Sequence, residues 1–356
     1  TATALAAGLG VLPAIHTPRK RAAAPPVNAV PIGFTRTFQP DSFTAVSEFT
    51  WWLYGTRPCG RGVCPAIART TNGGVTFTWV PAPRGANGGY QMRFADPQDG
   101  YIFGSKLWTT DNGGATWQRV PLGGSVVELA ASYPYVYAIV LGQYHGRLVR
   151  SRIGSDQWKT LKGAGYAANG LWVQGSDVLV DAAGSQAEPE PGIGSELMIS
   201  HDAGRRFARR PLPRSNSCML QDAAPNVVWA ACASAVAAAD GGNFSGGIWR
   251  STDDGRSFGA VAARGGPDLN DGAFSADGPD EAVVGYQQLY RTLDGGATFA
   301  RVPTPRGIEY WDYIGFTDPT HGVALGTFRC GARNCNRLYY TINAGTSYHY
   351  VPIDPA

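Results

Sequence analysis

The chain has 356 residues, of which 44% are hydrophobic and 16% are charged, so it is long enough to bury one large core. Its net charge of +3 is too small to indicate a nucleic-acid-binding protein. Four of its 30 basic residues are lysine and the rest are arginine, a bias that is typical of a GC-rich genome.

The first 30 residues do not share the pattern of the rest of the chain. Residues 1–14 are apolar, rich in Ala and Gly and free of charge, and residues 19–21 are a basic triplet that leads into an Ala- and Pro-rich linker. The apolar stretch is too short to span a membrane. It is similar to the end of an export signal or a membrane anchor, and a disordered extension explains it equally well. We therefore interpret residues 1–30 as a signal or anchor remnant with a linker, and a membrane tether through it stays open.

From residue 70 onward an eight-residue pattern recurs. It begins with Ser or Thr, has Asp or Asn third and Gly fifth, and ends on an aromatic residue. Six copies match well: 70–77, 110–117, 200–207, 251–258, 292–299 and 341–348. A seventh copy at 151–158 keeps the first Ser and the last Trp and loses the Asp and Gly at their places. We call these segments the octets.

The spacing of the octets predicts the fold. Their closing aromatic residues are separated by 40, 41, 49, 51, 41 and 49 residues, and short β-like runs lie on both sides of each octet. Periods of this length with turn-rich β patterns are typical of propeller blades. We predict an all-β fold for residues 31–356, a single seven-bladed β-propeller with four antiparallel strands per blade and an octet between the third and fourth strands. Residues 31–38 are expected to add an outermost strand where the ring closes.

The octet resembles the Asp-box (BNR) repeat, S/T-x-D-x-G-x-T-W. The wider pattern of residues 92–96 with 100–104, repeated at 314–318 with 322–326, resembles the Ycf48-like photosystem II assembly factors within the sialidase-like and xyloglucanase-like propellers. Because the third side chain of each octet is used by its own turn, we interpret it as structural rather than catalytic. These structural residues are Asn72, Asn112, Asp202, Asp253, Asp294 and Asn343.

The six cysteines are expected to pair locally. Two lie in one loop of blade 1, two in the equivalent loop of blade 7, and two lie seven residues on either side of Pro225, on adjacent antiparallel strands. We predict the disulfides Cys59–Cys64, Cys218–Cys232 and Cys330–Cys335. They indicate an oxidising compartment, so a secreted or cell-surface protein. Zinc at the two Cys-x4-Cys loops is the alternative, but it leaves the third pair unexplained, and we predict neither a metal nor a cofactor.

Loop lengths predict where a ligand binds. The loops between the second and third strands are long in blades 7 and 1 and in blades 4 and 5, so two walls should flank a cleft on the top face, opposite the octets. Arginine and aromatic residues suit an anionic or carbonyl-rich ligand, and Trp311 should offer a flat apolar surface. The predicted binding residues are Arg57, Arg61, Arg329, Arg333, Tyr310 and Trp311. The facing wall carries Glu188, Glu190 and Asp240. Solvated loop charges explain the same residues without a ligand.

Three classes of function compete. The first is an exported, monomeric, non-catalytic binding or assembly scaffold with a protein or glycan on its top face, which the Ycf48-like resemblance implies. The second is an exo-acting glycoside hydrolase, sialidase-like or xyloglucanase-like, which needs two carboxylates. Its crowded candidates are Glu309, Asp312, Asp268 and Asp271, and no motif selects among them. The third, a receptor-like sorting propeller, would be larger and carry Cys-rich modules. We expect the first, and no nucleic-acid partner.

Overall fold

The computed structural model describes residues 38–59, 62–86, 89–142, 146–164, 166–183, 196–213, 217–233, 247–262, 273–276, 278–331 and 333–353. Over these ranges 28 strands form seven four-stranded antiparallel sheets, and there is no helix, so none long and apolar enough to cross a membrane. The seven-bladed propeller is confirmed. Residues 1–30, and residues 31–37 of the expected closing strand, lie outside the described residues.

The first four blades follow one another along the chain. Blade 1 comprises β1 (Gln39–Ala45), β2 (Trp51–Cys59), β3 (Gly62–Thr70) and β4 (Thr78–Val80). Blade 2 comprises β5 (Gln91–Phe94), β6 (Gly100–Phe103), β7 (Leu107–Thr110) and β8 (Gln118–Val120). Blade 3 comprises β9 (Ser125–Ser132), β10 (Tyr135–Leu141), β11 (Gly146–Arg152) and β12 (Lys159–Thr160). Blade 4 comprises β13 (Tyr166–Gln174), β14 (Asp177–Ala183), β15 (Glu196–Ser200) and β16 (Ala208–Pro211).

The last three blades repeat the same order. Blade 5 comprises β17 (Ser217–Ala224), β18 (Val227–Ala233), β19 (Gly247–Ser251) and β20 (Gly259–Ala262). Blade 6 comprises β21 (Ala273–Ala276), β22 (Ala282–Gly285), β23 (Leu289–Thr292) and β24 (Ala300–Arg301). Blade 7 comprises β25 (Ile308–Phe316), β26 (Gly322–Cys330), β27 (Arg333–Thr341) and β28 (His349–Val351). The first strands of successive blades contact one another around the channel, and β27 contacts β1 to close the ring.

All seven octets lie between the third and fourth strands, and hydrogen bonds explain their composition. In blade 6 the amide of Gly296 donates to Thr292 Oγ1 (2.9 Å), whose hydroxyl donates to Asp294 Oδ1 (2.8 Å). Asp294 Oδ1 also accepts the amide of Thr298 (2.9 Å). The other five well-matched octets repeat these three bonds. The side chains of the first and third residues are therefore used inside the turn.

The glycine at the fifth octet position is needed for conformation and for space. Gly296 has φ of 89°, which favours glycine, and a Cβ there would lie 2.6 Å from the Cβ of Val261 in the preceding blade. The fifth glycines of the other well-matched octets also approach side chains of the preceding blade. Each octet is therefore pressed against its neighbour around the ring.

The ring closes by packing between complete blades. Phe43, Trp51 and Leu53 of blade 1 share a buried cluster with Val323 and Leu325 of blade 7. At the top of the same seam, Asn336 donates its amide N–H to Gln39 Oε1 (3.2 Å) and its Nδ2 to the carbonyl of Pro40 (2.9 Å). Both blades take their four strands from consecutive parts of the chain.

All three predicted disulfides are present. Cys59–Cys64 and Cys330–Cys335 join the ends of the β2–β3 and β26–β27 hairpins, with Cα separations of 5.8 and 5.9 Å. Cys218 and Cys232 lie directly opposite each other on β17 and β18, as their symmetry about Pro225 predicted.

Replacement of Asp294 tests the role of the third octet residue. Asp294→Ala removes the acceptor for Thr292 and Thr298 and is expected to lower the Tm. Asp294→Asn is the matched control, because Asn already occupies this position in the octets of blades 1, 2 and 7. A Tm that is unchanged in Asp294→Ala would contradict the structural interpretation.

The pH dependence of the same variant follows from the hydrogen bonds. Bonds from the side chain and amide of Thr298, then from Thr292, lower the pKa of Asp294 from its ordinary value of 3.8 to about 2. Because the folded pKa is depressed, the carboxylate's contribution to stability is present above pH 4 and is lost as pH falls towards 2. The Tm difference between wild type and Asp294→Ala should therefore shrink over that range.

Candidate functional site

The top face of blades 7 and 1 carries two projecting hairpins. Strands β2, β3, β26 and β27 have nine residues each, whereas the corresponding strands of blades 2 and 6 have four. Since the octets fix the lower ends of the third strands, the five additional residues raise the hairpins by about 16 Å. Each hairpin is closed near its tip by a disulfide. The long loops predicted for these two blades are therefore ordered β-hairpins.

A stacked pair of tyrosines lies at the top of the seam between blades 6 and 7. The rings of Tyr286 and Tyr310 are 5.1 Å apart with their planes at 16°, and both are half-buried. The amide of Trp311 donates to the carbonyl of Tyr286 (2.8 Å), which holds the two segments together. Asn334, exposed on the blade 7 hairpin, donates its Nδ2 to the hydroxyl of Tyr310 (3.1 Å). The predicted binding residue Tyr310 is thus part of a pre-ordered aromatic surface, which the sequence did not link to Tyr286.

Arg329 is paired with Glu309, one of the candidate catalytic carboxylates. Its Nε lies 3.1 Å from Glu309 Oε1, and both side chains are solvent-exposed. An exposed pair of this kind contributes little to stability, so a ligand carboxylate or carbonyl can compete for the guanidinium at small cost. The pair lies on β25 and β26 beside the tyrosines.

Trp311 does not lie on the surface, so the prediction that it offers a flat binding face is wrong. It is completely buried and packs edge-on against Tyr339 at 5.3 Å. Its partner across β25 and β26 is Gly326, and a Cβ there would lie 3.3 Å from the indole. The missing side chain at Gly326 makes room for the indole inside the blade. That glycine was the signal that could have distinguished Trp311 from Tyr310.

Arg57 is exposed but turns towards the outer edge of blade 1. Its guanidinium lies 4.5 Å above the ring of Trp79 on the fourth strand, and Trp79 in turn packs edge-on against Phe38 at 5.6 Å. This cation–π contact orders the arginine while leaving its donors available. Several predicted site residues lie outside the described part of the chain, at least in their side chains: Arg61, Arg333, Asp268, Asp271, Glu188, Glu190 and Asp240.

Two aspartates approach each other at the top of the central channel. Pairing is interrupted between Pro40 and Ser42 in blade 1 and between Trp311 and Tyr313 in blade 7, and the extra residues of these bulges are Asp41 and Asp312. Bulges often redirect a side chain near a functional site. The side chains of both aspartates are solvent-exposed, yet partial desolvation by the surrounding protein, and then the charge of Asp312, raise the pKa of Asp41 to about 6. Partial desolvation also raises the pKa of Asp312, although a hydrogen bond from Thr327 opposes this shift.

Sequence reasoning selected Asp312 and missed Asp41. The motif spacing carries no information about a bulge, and the blades in question are first and last in the chain. Only ring closure brings the two carboxylates together.

Three side chains of the kinds that bind metal ions lie together on the bottom face. One ligand atom each from Glu48, Asp318 and His321 lie within 4.8 Å of one another. All three side chains are more than one-third exposed, and Asp318 accepts the amides of Thr320 and His321 as part of its own turn. The turn accounts for this geometry without an ion.

Comparison with known proteins places the fold. Ycf48 bound to D1 peptide matches with a TM-score of 0.59 and 17% identity over 90% of this chain and 94% of that one. Ycf48 from Cyanidioschyzon merolae matches with a TM-score of 0.57 and 15% identity over 83% and 95%. The GH74 xyloglucanase from Xanthomonas campestris matches with a TM-score of 0.52 and 16% identity over 89% of this chain and 61% of the enzyme.

No protein-family model matches the chain, and no curated protein matches it. The solved structures, at these identities, show a shared propeller fold. They confirm the Ycf48-like and xyloglucanase-like resemblance at that level.

Substitution of two neighbouring aromatic residues tests the corrected site. Trp311→Ala removes a fully buried indole and is expected to lower the free energy of unfolding by about 3–5 kcal/mol. Tyr310→Ala removes a half-buried ring from a stacked pair and should cost only about 1 kcal/mol. Denaturant unfolding measures both values. Equal costs would mean that Trp311 is not a core residue.

Proposed function

We propose that this propeller is an exported, non-catalytic scaffold that holds a segment of a partner protein on its top rim, across blades 6, 7 and 1. The observation that carries the proposal is the stacked pair Tyr286–Tyr310, flanked by the exposed Arg329–Glu309 ion pair and by the disulfide-closed hairpin of blade 7.

The chemistry of this rim suits a polypeptide. The tyrosines provide apolar area together with hydroxyl groups, and Arg329 provides a planar donor for a carboxylate or for main-chain carbonyls. Asn334 adds an exposed amide, which can donate to and accept from a peptide backbone. Aromatic and arginine side chains are also the residues that dominate binding energy at protein interfaces.

Order in the hairpins favours binding. A loop of ten or more residues would lose conformational entropy when a partner bound, whereas a paired and cross-linked hairpin has lost much of that freedom already. Glycans remain an alternative ligand, since stacked aromatic rings also suit sugars. The likeness of nearly the whole chain to a propeller whose structure is that of Ycf48 bound to D1 peptide supports a polypeptide ligand.

Export is part of the proposal. Three disulfides, with no free cysteine among the described residues, are consistent with an oxidising compartment. Disulfides persist in oxidising compartments and are rare in the reducing cytosol.

A binding experiment tests this surface. Peptide and glycan arrays on the purified protein identify ligands, and Tyr310→Ala/Arg329→Ala is then compared with Tyr133→Ala/Arg119→Ala, which removes the same residue types at exposed positions away from the top rim. Losing two anchor residues at about 1.4 kcal/mol each is expected to raise the Kd roughly 100-fold. The control pair should leave the Kd unchanged. Equal Kd values for both double variants would place the binding surface elsewhere.

A glycoside hydrolase is the second candidate, and the pair Asp41–Asp312 is the observation that favours it. When their surroundings give two carboxyl groups different pKa values, one can act as the general acid and the other as the base or nucleophile. If the pair is catalytic, chromogenic glycosides should be cleaved with a pH limb near 6, the pKa of Asp41. Asp41→Asn and Asp312→Asn should each abolish that activity. The scaffold proposal expects no hydrolysis by the wild type, so cleavage that both variants lose would overturn it.

A further inference from the structure

The bottom of the seam between blades 4 and 5 carries a histidine with both ring nitrogens engaged. His201 is the second residue of the blade 4 octet, and its Nδ1 lies 2.8 Å from Asp177 Oδ1 in the same blade. Its Nε2 lies 2.8 Å from Asp254 Oδ1, in the octet of blade 5. A neutral imidazole has one donor nitrogen, so only the protonated ring can donate to both carboxylates. The side chain is half exposed and open to protons from solvent.

Further charged groups face the same histidine. Asp254 is buried, and its carboxylate lies 3.7 Å from Arg210 Nη2 and 3.9 Å from Arg256 Nη2. Asp222, on the innermost strand of blade 5, is also buried and hydrogen-bonds to Asp177. The cluster thus holds three carboxylates, one imidazole and two guanidinium groups, drawn from both blades.

We propose that this cluster is a pH-sensitive clasp that joins blades 4 and 5 when His201 and Asp222 are protonated and loosens as the pH rises through neutrality. In the protonated state Asp222 is neutral and His201 carries a positive charge. After both lose their protons, the net charge of the cluster is two units lower, and three carboxylates face two arginines. The bridge from His201 to one blade is then lost while repulsion between the carboxylates increases.

The proton affinities agree with this geometry. Burial alone would lower the pKa of His201, but the hydrogen bonds and charges of Asp177 and Asp254 outweigh it and raise the pKa above 6.5. Burial, then the charge and hydrogen bond of Asp177, raise the pKa of Asp222 to about 7. Both groups bind protons more tightly in the folded state, so both make stability fall with rising pH. Asp222 acts between about pH 4 and 7 and His201 above 6.5.

The clasp is particular to this seam. The second octet position is Thr71, Asp111, Arg152, Thr252, Leu293 and Ile342 in the other blades, and the fourth position is Asp in blade 5 alone. At the next seam, Arg250 of blade 5 pairs instead with Asp280 of blade 6 at 3.0 Å, and no histidine takes part in that contact.

Local hydrogen exchange tests the proposal, because Asp41 titrates near the same pH on the opposite face and would contribute to any global melting curve. The reporters are the amide of Ala203, bonded to the carbonyl of Ser176, and the amide of Asp254, bonded to the carbonyl of Asn226. After correction for the intrinsic rate, we expect protection of residues 200–207 and 251–258 to fall about tenfold from pH 5.5 to 8.5, as loss of one titrating contact predicts. Residues 292–299 should show no such change.

Variants separate the clasp from general effects of pH. His201→Thr, which copies residues 71 and 252, and Asp222→Asn together should remove the pH dependence of both turns. If the double variant does not fold, the NMR titration of His201 in the wild type decides, and an apparent pKa at or below 6.5 would overturn the proposal. Protection that is constant with pH, or equally pH-dependent in a folded double variant, would overturn it as well.

Discussion

The close approach of each octet to the preceding blade is the constraint on which the propeller depends. The octet glycine allows a backbone turn to lie against a neighbouring side chain at a distance that no Cβ permits, as at Gly296 and Val261. The turn reaches that place because a hydroxyl and a carboxamide or carboxylate inside the octet accept its amides. Hydrogen bonds within the turn thereby set the spacing between blades, and hydrophobic clusters fill the space between them.

This constraint divides the molecule into two faces with different freedom. On the bottom face the chain is fixed by octet geometry, and in the six well-matched octets most variation falls at the second, fourth, sixth and seventh positions. His201 and Asp254 occupy two such positions, and their charges meet across a seam without disturbing either turn. On the top face nothing of this kind limits hairpin length, so blades 7 and 1 extend while blades 2 and 6 stay short.

The repeat was sufficient to predict the blade number, the octet positions and all three disulfides, because these depend on spacing along the chain. What it could not predict depends on contacts between blades. The burial of Trp311 followed from the absence of a side chain on a neighbouring strand, and Asp41 meets Asp312 only because the ring closes. Likewise, the sequence did not single out His201, since its two carboxylate partners lie 24 and 53 residues away. For the same reason the sequence predicted Tyr310 as a binding residue but not Tyr286, because Tyr286 belongs to another blade.

The seam that closes the ring has a further consequence. Phe38 and Ile353, at the two ends of the described chain, both pack against the hydrophobic cluster shared by blades 1 and 7. This seam uses the same kinds of contact as the six that the chain crosses covalently, so the position of the termini is a matter of connectivity rather than of architecture. A short linker between these ends, with a new break in one of the other crossings from a fourth strand to a first strand, would yield a circular permutant with every blade intact. The chain could therefore begin at any of the seven blades and still form the same ring.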